Sequence, residues 1–150
     1  MAVETSTSSI VINRPVPDVF AYVENVRTMP DYLKFVREAA PVSGNPGEIG
    51  YTIRVASDVA GRSMENKSEL TEYEEHKRTT YRSRKPITMS ITHEYEEADG
   101  GATKLTRTTT ADMETANFFF KLAGPMLVKS VAKETEAGLA RLKEILEGQA

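Results

Sequence analysis

The chain has 150 residues, and its 19 Lys and Arg against 22 Asp and Glu leave a net charge of −3, which argues against a dedicated nucleic-acid binder. The length fits a single domain over residues 1–150, enough to bury about 70% of the surface that the unfolded chain would expose. The absence of cysteine excludes disulfides, thiolate nucleophiles and thiolate metal sites.

The first part of the chain predicts a strand followed by two short helices. Its polar N-terminus lacks the basic and apolar regions of a signal peptide, and no run reaches about 18 apolar residues, so we expect a cytoplasmic protein without a membrane span. Residues 4–13 alternate polar and apolar side chains, which predicts the strand. Prolines then end the strand and open a helix that reaches Asn25. Thr28 with Asp31 three residues on resembles a capping box, which predicts a second helix through Phe35.

The middle of the chain, from Gly47 to Met113, predicts consecutive strands and almost no helix. Apolar and polar side chains alternate with a period of two, and Asp99-Gly100-Gly101 predicts a hairpin. A β-bulge would reverse the inward and outward faces beyond it, so the assigned faces depend on unbroken alternation. Besides the first strand, the predicted strands are 36–42, 51–59, 64–71, 78–84, 87–97 and 103–113.

A single amphipathic helix is predicted at the C-terminus. After a helical stretch that begins near Asn117 and is interrupted at Gly124-Pro125, apolar residues recur on one stripe from Pro125 to Leu146. About 22 residues at 1.5 Å each give a length of about 33 Å, enough to cross a small domain. A curled sheet closed by one long helix is a container, so the sequence predicts an internal cavity.

Three stretches of the chain resemble a known family. They are IVINRPVPDVFAYVENVRTMPDYLKF at 10–35, EYEEADGGATKLTRT at 94–108 and GPMLVKSVAKETEAGLARLKEILE at 124–147. Each is similar to the polyketide cyclase/dehydrase and lipid-transport family of the START-like (SRPBCC) superfamily. The resemblance implies a helix-grip fold of class α+β, in which a curved antiparallel sheet of about seven strands wraps around the long C-terminal helix and two short helices follow the first strand.

The residues predicted to line the cavity between the sheet and the C-terminal helix are the candidate ligand contacts. The apolar candidates are Ile53, Val55, Met64, Leu70, Met89, Ile91, Leu105, Phe119 and Met126. The polar candidates, which would orient the ligand, are Asn66, Tyr81, His93 and Arg107. Because a charge that faces an apolar cavity must be paired or hydrated, Arg107 either meets an internal partner or holds a carboxylate, enol or carbonyl oxygen of a ligand.

Two functions of such a cavity remain open. The first is the binding of a small hydrophobic molecule, which the resemblance implies to be a lipid, a polyketide or an isoprenoid-like compound. The second, also implied by the resemblance, is an aromatase/cyclase that catalyses aldol cyclisation and dehydration. In that enzyme Arg107 and Tyr81 would stabilise an enolate, and His93 would move protons.

A third function, a protein-interaction role such as ribosome binding, would use the outer surface of the sheet. The basic residues of that surface are Arg78, Arg82, Arg84 and Lys85. No cofactor is expected, and no metal, because the two histidines, His76 and His93, lack the spacing of a ligand pair. We expect a monomer or a weak homodimer.

Overall fold

The computed structural model describes residues 3–59, 61–85, 87–116 and 118–148, excluding the side chains at 118–120, 123 and 125. Its strands are β1 (Val3–Ile12), β2 (Val36–Ser43), β3 (Thr52–Val59), β4 (Arg62–Glu74), β5 (Arg78–Ser83), β6 (Thr88–Ala98) and β7 (Ala102–Asp112). Its helices are α1 (Val16–Glu24), α2 (Met29–Tyr32) and α3 (Phe118–Glu147). The strands form one antiparallel sheet in the order β1-β7-β6-β5-β4-β3-β2, which confirms the predicted helix-grip architecture.

The main hydrophobic core lies between the sheet and the C-terminal half of α3. Leu139 and Leu142 follow the predicted stripe of the helix and are almost completely buried, in contact with the inward side chains of the strands. α1 adds its own apolar face to the same core through Val19 and Phe20. Burial of these faces, each made by a regular spacing in the sequence, supplies most of the driving force for the fold.

A second and smaller apolar cluster lies under the N-terminal half of α3. Leu127 and Ala116 are buried there, and Val59, Met64, Ile87 and Met113 pack against them. The two clusters are separate, so the helix is supported at both ends by apolar packing.

The strand residues that border the cavity have their side chains on the predicted inward face of the sheet. In β4, the alternation continues from Met64 to Leu70, and the irregularity in its pairing with β5 comes only between Leu70 and Glu72. The other pairing shifts fall in β2, at the edge of the sheet. The bulges therefore lie outside the stretches on which the cavity prediction depends.

The terminal helix is longer than predicted. It runs without a break from Phe118, whereas the sequence predicted an interruption at Gly124-Pro125. Gly124 is buried, and a Cβ added to it would lie 3.1 Å from Cε of Met113. Close packing of this turn against the chain before the helix favours helical structure despite the glycine and proline.

The predicted capping box at the second helix is wrong. The hydroxyl of Thr28 donates to the carbonyl oxygens of Tyr22 and Asn25, at 2.9 Å and 2.8 Å, and does not cap α2. Thr28 already has helical backbone angles because it ends a 3₁₀ turn that Asn25 caps through Arg27 N. The second helix is consequently a single turn that ends at Tyr32.

Gly138 lets α3 approach the chain at the end of α2 closely. A Cβ at this position would lie 2.7 Å from the carbonyl oxygen of Tyr32 and 2.7 Å from Cδ2 of Leu33. Nε of Arg141, one turn further along, donates to the same carbonyl at 3.1 Å. The glycine in the middle of the helix is therefore explained by close packing, which offsets its poor helix propensity.

Candidate functional site

A cavity of about 150 Å³ lies between the sheet and the N-terminal half of α3. The strands β3, β4, β6 and β7 supply most of its wall, and α3 closes it. Its apolar lining is formed by Phe35, Val59, Met64, Ile87, Met89, Ile91, Ala111, Met113, Leu127, Val128 and Val131. The cavity is therefore mainly hydrophobic, and the smaller cluster forms part of its wall.

One row of buried polar side chains separates the main core from the cavity. Backbone pairing places Ser8 of β1 opposite Arg107 of β7, Arg107 opposite His93 of β6, and His93 opposite Thr79 of β5. All four residues are less than 9% exposed. We call Ser8, Arg107, His93 and Thr79 the polar row. Of these, Arg107 reaches the cavity.

The guanidinium of Arg107 is buried without a negative partner. Arg107 is 4% exposed, and its Nη1 forms a hydrogen bond of 3.2 Å with Nε2 of His93. Its Nε has no hydrogen-bond partner, and no carboxylate among the described residues forms an ion pair with it. Burial lowers the pKa of Arg107, but arginine starts from so high a value that it stays charged at neutral pH.

His93 is neutral in this environment. Burial, and after it the charge of Arg107, lowers the pKa of His93 to about 3. Because a guanidinium can only donate, Nε2 of the neutral imidazole accepts the hydrogen bond and Nδ1 carries the proton. A pKa this low favours His93 as a neutral hydrogen-bond acceptor at neutral pH, so its predicted role in exchanging protons gains no support here and stays a prediction. Removal of the imidazole from water is the physical reason for the low pKa.

A buried carboxyl group, which the sequence analysis missed, lies behind His93. Oε2 of Glu24, the last residue of α1, accepts hydrogen bonds from Tyr95 Oη at 2.6 Å and from Thr79 Oγ1 at 2.9 Å. It lies 3.9 Å from Nδ1 of His93, too far for a hydrogen bond. Burial raises the pKa of Glu24, while the two hydroxyl donors act in the opposite direction. One signal was present: an acidic residue at a helix C-terminus opposes the helix dipole.

The other end of the cavity carries different polar groups. Asn66 of β4 lines this end, and its buried Oδ1 has no hydrogen-bond partner among the described residues. Ser57 lies nearby in the lining, and Glu4 and Ser6 of β1 extend it. Neither Glu4 nor Ser6 was among the predicted contacts, all of which came from the later strands and the C-terminal part of the chain.

Residues 4–147 match the family of polyketide cyclase/dehydrase and lipid-transport proteins. The chain belongs to this family. No curated protein matches it.

Solved structures share the helix-grip fold of this polyketide cyclase/dehydrase and lipid-transport family member. TTHA0849 from Thermus thermophilus has a TM-score of 0.81 at 18% identity, covering 98% of this chain and 99% of that chain. A START superfamily protein from Mycobacterium smegmatis has a TM-score of 0.77 at 14% identity, with coverages of 97% and 99%. The Zhui aromatase/cyclase from Streptomyces sp. R1128 has a TM-score of 0.76 at 13% identity, with coverages of 97% and 94%. At these identities the likeness concerns the fold alone.

Apart from His93, which is buried in the polar row and does not line the cavity, the predicted ligand contacts of this family member fall into three groups. The cavity is lined by Met64, Asn66, Met89, Ile91 and Arg107. The main core, beneath the cavity, contains Ile53, Val55, Leu70, Tyr81 and Leu105. Ile53, Leu70 and Leu105 are buried in this core, Val55 and Tyr81 pack against it, and none of the five lines the cavity.

The third group comes from the N-terminal half of α3. Met126 is 78% exposed, so its predicted contact with the cavity is wrong. The unbroken helix turns Leu127, Val128 and Val131 toward the cavity instead. The side chain of Phe119 lies outside the described residues.

Two further findings concern metals and membranes. In the described part of this family member, no three side chains of His, Cys, Asp and Glu are grouped so that they could hold a metal ion. Within the same residues, no helix combines the length and the hydropathy needed to cross a membrane.

Proposed function

We propose that the protein binds one small, mainly hydrophobic molecule between its sheet and α3, and that Arg107 holds an oxygen atom of this molecule. The observation that carries the proposal is the buried guanidinium, which lines an apolar cavity and has no carboxylate partner among the described residues. A buried charge without compensation costs about 3–5 kcal/mol. An apolar residue would serve a purely structural role better, so we assign the charge to ligand binding.

The walls of the cavity support a hydrophobic ligand. Ile91, Val131 and Leu127 offer branched aliphatic side chains, and Met64 and Met89 add flexible ones that adapt to the shape of a ligand. Each methylene group that moves from water into such a site contributes about 0.8 kcal/mol. Affinity would thus come from the apolar walls, while Arg107 would set the orientation.

The same residues give less support to a cyclase. His93 would have to exchange protons, but its pKa of about 3 and its bond to Arg107 keep it a neutral acceptor. Tyr81 packs against the main core and is not among the residues that line the cavity. Fold similarity to an aromatase/cyclase leaves cyclisation as the alternative function, with Arg107 as the residue that it shares with the binding proposal.

The protein-interaction alternative also gains little from the geometry. Arg78 forms ion pairs with two neighbouring glutamates, at 2.8 Å and 2.9 Å, so its charge is locally compensated. Arg82, Arg84 and Lys85 border a separate groove that also contains acidic residues. This groove has no strong field of one sign, which makes it a weaker candidate than the cavity.

The test is a binding measurement with toluene, a neutral probe of the size that a cavity of about 150 Å³ accepts. We expect saturable binding by calorimetry to the wild type. Val131→Phe places a ring in the cavity and should weaken binding by about tenfold or more, since overpacking costs about 1–3 kcal/mol. Met126→Phe adds the same ring on the exposed side of α3 and should leave binding unchanged.

Two results would contradict the proposal. Equal toluene affinity of wild type and Val131→Phe would place the probe elsewhere. No toluene binding to the wild type, together with a native mass that equals the denatured mass of the freshly purified protein, would argue against a hydrophobic ligand. Cyclase turnover assays would then follow, with Arg107→Leu as the variant that abolishes turnover.

A further inference from the structure

We propose that the ligand is a small monocarboxylate, whose carboxylate pairs with Arg107 and whose apolar body, about the size of one six-membered ring, extends toward the cluster around Leu127. This inference rests on the proposed function and specifies the ligand class of the same cavity. It is argued from the charge of the polar row, from the state of His93, and from the size and polarity of the cavity.

The polar row presents a positive charge to the cavity and no negative charge. The guanidinium has five donors and no acceptor, and only one of its nitrogens, Nη1, forms a hydrogen bond with a described residue. A keto or hydroxyl oxygen of a ligand would satisfy a donor but would leave the charge uncompensated. A carboxylate satisfies both needs, because its two oxygens match the fork of the guanidinium and its charge is opposite.

The neutral imidazole explains why Arg107 still has its charge to offer. His93 holds Nη1 through a hydrogen bond without neutralising the guanidinium. Glu24 lies on the far side of the imidazole ring, and its Oε2 is bound by the hydroxyls of Tyr95 and Thr79. The side chain of Arg107 is thus positioned by its protein neighbours, while its charge is directed to the cavity.

The dimensions of the cavity limit the ligand. A dry apolar cavity of about 150 Å³ is known to accept benzene, and this cavity has the same volume. A polycyclic or long-chain molecule would have to extend out of the cavity. The enclosed part of the ligand is therefore one ring or a short branched chain.

The opposite end of the cavity sets the direction of the ligand. Glu4 pairs with Ala111 in the sheet, four residues along from the Ser8–Arg107 pair, a distance of about 13 Å along the strand. Its exposed carboxylate repels an anion weakly, because water screens it, whereas the buried Arg107 attracts one strongly. A carboxylate ligand therefore enters with its charge toward the polar row and its apolar body toward Leu127.

The test compares benzoate with nitrobenzene, which have nearly the same planar shape but differ by one charge. By calorimetry at pH 7, we expect the wild type to bind benzoate at least about tenfold more tightly than nitrobenzene. Hydrogen bonds to a charged group contribute enough free energy for a difference of this size. Arg107→Met should remove that preference, because only benzoate also loses the pairing of its charge with the guanidinium. Arg82→Met, which removes an exposed arginine from the outer surface, should keep the wild-type preference.

A second measurement works without a variant at Arg107. Benzoate, but not nitrobenzene, should shift the NMR signal of the side-chain Nε–H of Arg107 in the wild type. Binding of 2-naphthoate should be no tighter than that of benzoate, because its second ring would extend out of the cavity.

The outcomes separate the inference from the proposed function. If nitrobenzene binds as tightly as benzoate, the carboxylate inference is overturned and the hydrophobic cavity remains. If benzoate binds without shifting the Arg107 signal, its carboxylate is not at the polar row. If benzoate, nitrobenzene and toluene all fail to bind, the proposed function fails as well.

Discussion

Replacement of Arg107 by methionine should stabilise the ligand-free protein. Arg107 is 4% exposed, and its charge has no ion-pair partner in the part of the chain that the structure describes. Methionine is apolar, fills a comparable volume and adapts to irregular packing. The folded state would then no longer contain an uncompensated buried charge, while the unfolded state would lose only a solvated one.

The magnitude follows from two opposing terms. Removal of the uncompensated charge recovers about 3–5 kcal/mol. Nε2 of His93 loses its donor, and a buried acceptor without a partner costs about 1–3 kcal/mol. We expect a net stabilisation of about 2 kcal/mol, which corresponds to a rise in Tm of about 4–8 °C for a chain of this length.

The assay is urea unfolding followed by circular dichroism, with a thermal scan as a second measurement. Native mass spectrometry must first establish that neither sample retains a ligand, because a bound ligand would stabilise the wild type alone. Thr109→Val, which changes the next lining residue of β7 without changing a charge, is the control and should alter stability by less than about 1 kcal/mol. A lower stability of Arg107→Met than of the wild type would refute the reasoning, since it would mean that the protein itself compensates the guanidinium.

Two further predictions concern pH and packing. The pKa of His93 in the folded protein is about 3, below the ordinary value of 6.5. The free energy of unfolding is therefore fully maintained above about pH 6.5 and decreases as the pH falls toward 3, by up to about 1.4 kcal/mol per pH unit. Urea unfolding between pH 7 and pH 5 measures this dependence of stability on pH, and His93→Gln should make it less steep. The control is His76→Asn, at an exposed turn where φ is 63°, which should leave it as in the wild type. Equal pH dependence in the wild type and both variants would contradict the low pKa of His93. Gly138→Ala should destabilise by up to about 2 kcal/mol, because the overlap with the Tyr32 carbonyl costs about 1–3 kcal/mol, whereas helix propensity gains only about 1 kcal/mol. The control is Ala140→Gly, at an exposed position of α3, which measures the effect of helix propensity alone. If Gly138→Ala were more stable than the wild type, α3 would not be held close to α2.

Much of the fold could be predicted because it depends on local patterns. The alternation over β6 assigned Met89, Ile91 and His93 to one face, and the structure places all three on the inner face of the sheet. The stripe on the terminal helix likewise predicted the buried Leu139 and Leu142. A pattern of this kind is read from neighbours in the sequence, so it needs no knowledge of the rest of the fold.

The candidate site was only partly predictable. The sequence placed Arg107 on the inner face, but its pairing with His93 on one side and Ser8 on the other depends on register between strands far apart in the chain. Glu24 was missed because it reaches the polar row from a helix. Met126 was placed wrongly because it lies two residues before Val128, so the helix turns its side chain away from the face that borders the cavity.

By itself, the sequence determined which residues face inward, because side-chain direction repeats every two residues in a strand and every 3.6 residues in a helix. Only the tertiary structure decided which inward residues form the core and which border the cavity. Ile53 and Met64 lie on the same face of neighbouring strands, yet the first is covered by the core and the second faces the cavity. The difference comes from where α1 and α3 pack on the sheet, and these contacts join segments that no local pattern relates.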